Sequence, residues 1–141
     1  MKMHIAAAAL ATLALAGVAH AKGDMTLKPI ELPELKLGLG EAGYGVSQKT
    51  YELETGKAYS LEISSTGAKE CAFQSPGLFA NIFLRKVEAG EAEIKAMALT
   101  ELEFEEEGEA EIFFVPIKPG TYAWYCKGME ERGMTGEFIV K

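Results

Sequence analysis

From Tyr59 to Ser64 apolar and polar residues alternate without a break: Tyr59, Leu61 and Ile63 against Ser60, Glu62 and Ser64. A period of two sends one set to a buried face and the other to water, which is the pattern of a half-buried strand. Leu35, Leu37 and Leu39 alternate in the same way. Tyr122, Trp124 and Cys126 share one strand face, while Ala123 and Tyr125 point the other way. Turn signals separate these runs at Thr55-Gly56-Lys57, Thr66-Gly67, Pro76-Gly77 and Pro116 to Gly120. No 3.6-residue pattern is sustained. Short strands at regular spacing predict an all-β chain, folded as an antiparallel β-sandwich of seven or eight strands. Tyr59, Leu61 and Ile63 are expected to pack against residues such as Phe114 and Phe138.

The ends and connections are read as follows. Residues 1–21 carry Lys2, an apolar run from Ile5 to Val18 and the small-residue site Ala19-His20-Ala21, which predicts a signal peptide cleaved after Ala21. The run is too short to span a bilayer, and no later segment is long and apolar enough, so an exported, periplasmic chain without a transmembrane segment is expected. Residues 22–40, punctuated by Pro29 and Pro33, are expected to form an N-terminal arm and an edge strand, and residues 41–141 the folded domain. Leu78 to Val87 fits either a short helical turn or a strand. The acid-rich run Glu101 to Gly108 reads as the solvated face of a strand and its turn, since it lacks the spacing of a calcium loop. Met97 is expected to be ordinary packing. Phe73, Phe79, Trp124 and Tyr125 are expected to be core and rim aromatics.

Charge and composition then remove function classes. A net charge of −7 leaves no basic face for nucleic acid. The two histidines, His4 and His20, both lie in the signal segment, so the exported chain has none. That excludes Ser-His-Asp and Cys-His catalysis and every histidine-containing metal site. No phosphate loop or nucleophile elbow is present. A non-enzymatic role is expected. Cys71 and Cys126 would be in an oxidising compartment, where a disulfide between them can persist.

The informative stretch runs Pro119-Gly120-Thr-Tyr122-Ala-Trp124-Tyr125-Cys126-Lys-Gly-Met129-Glu-Glu-Arg-Gly133-Met134-Thr-Gly136. It resembles the C-terminal ligand loop of the cupredoxins, the blue-copper family. Upstream, Ser65-Thr66-Gly67-Ala-Lys-Glu70-Cys71-Ala72-Phe73 resembles the strand that gives that family its first histidine. The resemblance spans roughly residues 44–141 and implies a Greek-key cupredoxin-like sandwich with a metal at one end. It also implies the ligand set: Cys126 and Met134 keep the family's residue types, while Cys71 and Met129 stand where histidines belong. Two thiolates and two thioethers form a soft set that favours Cu(I). A blue centre needs two histidines, so an ordinary one is not expected. Glu70 is a weaker candidate ligand, because alternation turns only one of Glu70 and Cys71 inward.

These readings give a periplasmic copper-binding protein with a sulfur-rich site, acting in copper carriage, delivery or one-electron transfer. Its expected partners are other periplasmic or membrane copper and redox proteins. The thiolate pair also allows a dinuclear centre, within one chain or in a homodimer. Three alternatives stay open. One is a metal-free binding module whose Cys71–Cys126 disulfide crosses the sandwich. Another is an iron-handling component of an uptake system, working through Glu70. The third, a thiol–disulfide exchanger, lacks a Cys-x-x-Cys motif.

Overall fold

The computed structural model describes residues 28–141. The expected signal peptide, both histidines and the start of the arm lie outside the described residues. In chain order the elements are β1 (Ile30–Glu31), β2 (Leu35–Leu39), β3 (Gly45–Val46), β4 (Thr50–Leu53), β5 (Tyr59–Thr66), β6 (Cys71–Gln74), α1 (Pro76–Phe79), β7 (Ile82–Ala89), β8 (Ala92–Ile94), β9 (Leu102–Phe104), β10 (Glu107–Pro116), β11 (Gly120–Cys126) and β12 (Thr135–Val140). Eight of these strands have four or more residues, and they form the expected framework. The others are short edge or bridging pieces.

Two sheets face each other. One is ordered β3-β2-β5-β10-β7-β8, with β1 also on β5; the other is β4-β12-β11-β6-β9. Most pairings are antiparallel, but β1 and β2 run parallel to β5, and β4 runs parallel to β12. Strands that pass from one sheet to the other cannot close by a hairpin, and these pairings result. The stripe Tyr59, Leu61 and Ile63 is buried, the Tyr59 and Phe114 rings lie 6.1 Å apart, and Phe138 enters the same cluster from the facing sheet. Phe138 in turn stacks on Tyr51 at 5.3 Å.

Two expectations need correction, and one open choice is resolved. The strand Leu35–Leu39 forms, but β3 pairs outside it, and Leu35 and Leu37 are fully buried. It is therefore an inner strand, and the folded unit does not begin at residue 41. Alternation reports which face is buried; which strand lies beyond it depends on long-range pairing. The segment 78–87 contains both readings, with Leu78 and Phe79 ending a helical turn that Pro76 starts and β7 following. Met97 packs against nothing and is fully exposed. It follows β8 in an unpaired connection, so no sheet face covers it.

Gly67 permits the turn between β5 and β6. Its φ is +74°, and a Cβ there would lie 2.6 Å from the Glu107 backbone nitrogen. Glu101, Glu103, Glu105, Glu106 and Glu107 are exposed, as expected of a solvated face.

Across the outer face of the larger sheet, Glu62 is paired with Glu111, Glu111 with Glu88, and Glu88 with Glu93. Lys86 forms ion pairs with Glu88 and Glu93 and so compensates one end of the row. At the other end, partial burial pushes the Glu62 carboxyl above its usual range, and Glu34, Glu109 and Glu111 push it further. The folded state therefore holds this proton more tightly than the unfolded state, and stability declines as pH rises through the Glu62 titration. Glu62→Gln should stabilise by about 0.5 kcal/mol near neutral pH, the scale of a like-charge cross-strand pair. Thermal melts should show that gain vanishing near about pH 3, where the raised Glu62 carboxyl is protonated. An equal gain at both pH values would mean that charge is not the cause.

Candidate metal centre

Strands β6 and β11 lie side by side, with Tyr125 paired to Gln74 and Cys126 to Phe73. One residue further, the Lys127 N–H donates to the Ala72 carbonyl at 3.0 Å. This register and strand alternation put Cys71, Phe73, Trp124 and Cys126 on the inner face, and all four are fully buried. Cys71 then sits diagonally across from Cys126. Their Cα atoms are 5.0 Å apart, and the two sulfurs are joined in a disulfide. The bond staples neighbouring strands of one sheet and does not cross the sandwich. Glu70 is exposed while Cys71 is buried, which agrees with the preference for Cys71 as the inward residue.

The segment after Cys126 folds back onto it. The Met129 N–H donates to the Cys126 carbonyl (2.9 Å), and the Cys126 N–H donates to the Met134 carbonyl (2.9 Å). Between them, Glu130–Arg132 make a 3-10 turn that ends at Gly133, where φ is +94°. The Met134 N–H returns to the Met129 carbonyl at 3.3 Å, and Lys49 Nζ donates to the Gly133 carbonyl at 2.8 Å. Met134 is fully buried and Met129 half-buried against the same core cluster that contains both cysteines. The structure thus gathers Cys71, Cys126, Met134 and Met129 at one end of the sandwich and leaves Glu70 in water.

Phe73 and Trp124 behave as core aromatics, with ring centroids 5.8 Å apart, and Phe79 packs edge-on to Phe73. Tyr125 is half-buried on the opposite strand face. The Trp124 indole lies against Gly136, where a Cβ would come within 2.6 Å of Nε1. That indole N–H is buried without a hydrogen-bond partner. One residue escaped the sequence reading. Tyr44, half-buried, packs on the same cluster, and its ring receives Lys69 Nζ at 5.1 Å and Arg132 Cζ at 5.3 Å. A lone aromatic between Gly43 and Gly45 was the available signal.

The donor chemistry can be tested against copper. Among the described residues, no three of His, Cys, Asp and Glu gather where they could hold a metal. The donors to be weighed here are the two cysteine sulfurs and the sulfurs of Met129 and Met134. In the disulfide the cysteines have no thiolate to offer; as a dithiol they would complete a four-sulfur set suited to Cu(I).

No family model and no curated protein matches this sequence. Solved structures do match in fold. A multicopper oxidase from Campylobacter jejuni aligns with a TM-score of 0.58 at 14% identity, covering 82% of this chain and 31% of that one. McoA multicopper oxidase from Aquifex aeolicus gives 0.61 at 11% identity, covering 80% and 29%. The copper nitrite reductase from Nitrosomonas europaea gives 0.54 at 12% identity, covering 67% and 33%. The fold is a cupredoxin-like β-sandwich. The chain spans about a third of the length of these neighbours, and at such identities the likeness concerns fold.

The disulfide closes a loop between residues 55 positions apart. By loop entropy, opening it should cost about 4 kcal/mol, or roughly 15 °C in Tm for a domain of this size. Calorimetry of the oxidised and reduced protein tests this. Equal Tm values would mean that the pair does not constrain the unfolded chain.

Proposed function

We propose that this is a periplasmic, cupredoxin-like copper-binding protein. In its dithiol form, Cys71, Cys126 and Met134 would hold Cu(I), with Met129 as the outer sulfur. The observation that carries this reading is the convergence of two adjacent cysteines and a fully buried methionine on one inner sheet end. The backbone of that methionine is hydrogen-bonded to Cys126. Copper in such a site is either cargo or a one-electron carrier. Carriage or delivery to other periplasmic or membrane copper and redox proteins fits the donor set, which has no histidine to stabilise Cu(II). The role proposed is binding or electron transfer.

The chain's own residues supply position and exclusion. The β6–β11 ladder fixes the two cysteines, and the turn from Met129 to Met134 is hydrogen-bonded to the Cys126 backbone at both its ends. Phe73 and Trp124 keep the inner face apolar beside the sulfurs. The exposure of Glu70 favours copper over an iron-handling role. The closed, buried disulfide favours a second reading, a metal-free module in which the bond is only structural.

Anaerobic Cu(I) competition with a chromophoric chelator separates the two. The reduced protein should bind copper far more tightly than zinc, and Cys126→Ser should abolish specific binding. A Met129→Ala/Met134→Ala double variant should bind roughly tenfold more weakly, equivalent to about 1.4 kcal/mol. Affinity should fall on acidification, as protons compete for the thiolates. No copper uptake by the reduced protein would favour the structural disulfide. Unchanged affinity in the double variant would remove the methionines and leave a plain dithiol.

A further inference from the structure

We infer that the Cys71–Cys126 disulfide is the closed state of this site, opened by exchange with an external dithiol, and that Tyr44 controls how fast it opens. The first part rests on the copper reading; the second stands without it.

Both redox states fit one backbone. The cysteines sit on hydrogen-bonded neighbouring strands, and the bonds from Lys127 to Ala72 and from Cys126 to Met134 do not involve the sulfurs. Breaking the disulfide therefore leaves the two sulfurs facing each other in the same sheet. A sulfur bonded to its partner sulfur has no thiolate for a metal, so the disulfide and Cu(I) compete for the same two atoms.

The exchange itself is ordinary thiol chemistry. A thiolate of the external dithiol attacks one sulfur of the disulfide, forming a mixed disulfide and releasing the other cysteine as a thiolate. The donor's second thiol then resolves the mixed disulfide. Two electrons and two protons pass from donor to chain, and the donor leaves as a disulfide. A disulfide oxidant reverses the sequence.

Access is the obstacle. Cys71 and Cys126 are both 0% exposed, so a reductant must wait for local opening. The segments that must part are the turn before Cys71 and the loop after Cys126. Tyr44 ties them together. Lys69, two residues before Cys71, and Arg132, in the loop after Cys126, both reach its ring. The loop that carries Tyr44 is seated on the same turn: Gly43 has φ +71°, and a Cβ there would lie 2.9 Å from the Ala68 Cβ.

The test begins with the rate of reduction by dithiothreitol, followed by alkylation and mass. Tyr44→Leu should be reduced about tenfold faster than wild type, while Tyr44→Phe, which keeps the ring, should stay within about twofold. Arg132→Gln, which keeps the Tyr44 ring and removes only one cation from it, should be reduced about threefold faster and covers the case that Tyr44→Leu fails to fold. Wild-type rates in Tyr44→Leu and Arg132→Gln would remove Tyr44 from the account. Next, Cu(I) affinity is compared between the oxidised and reduced protein. The oxidised form should bind at least about a hundredfold more weakly, and glutathione disulfide added to the copper-loaded protein should release copper in step with the loss of two thiols. Equal affinity in both forms would overturn the gate and, because a disulfide offers no thiolate, would also remove the two cysteines from the copper site. No binding in the reduced form would overturn the copper reading and the gate together, leaving only the Tyr44-controlled exchange.

Discussion

Two residue pairs, Tyr125 with Gln74 and Cys126 with Phe73, hold β6 against β11. The chemistry available to this chain depends on that short register. A slip of one residue would turn one of these strands over and send its cysteine to solvent on the far side of the sheet. In the observed register the two cysteines are diagonal neighbours on the inner face, Trp124 and Phe73 share that face, and the loop to Met134 returns to bond the Cys126 backbone. The backbone of Cys126 takes part twice, donating to the Met134 carbonyl and accepting from the Met129 N–H. Main-chain bonds therefore hold the backbones of Met129 and Met134 beside Cys126.

The fold resembles that of multicopper oxidases and a copper nitrite reductase, and the site proposed on it is built from cysteine and methionine sulfur. Imidazole ligands support both copper oxidation states, whereas thiolate and thioether donors favour the reduced one. Two cysteines close enough to bond to each other add a second chemistry on the same atoms. Under the proposed reading, metal binding and disulfide formation are alternatives at one place. The contacts of Tyr44 with Lys69 and Arg132 lie on the segments that flank it.

Much of this was legible in the sequence because it depends on face and spacing. Alternation assigned Tyr59, Leu61 and Ile63 to the core and Cys71 to the inside ahead of Glu70, and the structure agrees. The order Cys126, Met129, Met134 marked the loop. Other features depend on pairing between distant segments, which periodicity does not encode. The inner position of Leu35–Leu39 is decided by β3 and by the parallel contact with β5. The exposure of Met97 follows from the unpaired crossing after β8. The disulfide lies within one sheet because of the β6–β11 register, and Tyr44 gains its role only when three separate loops meet.

In the proposed Cu(I) site of the reduced protein, the donors are a histidine-free set of four sulfurs on the β6–β11 register and the loop that follows it. X-ray absorption at the copper edge, on anaerobically reduced and Cu(I)-loaded protein, tests it most directly. The account predicts a first shell of sulfur alone, with the Cu(I) edge shape, and with fewer sulfur neighbours in a Met134→Ala variant. A first shell dominated by oxygen or nitrogen, or one unchanged by Cys126→Ser, would contradict it.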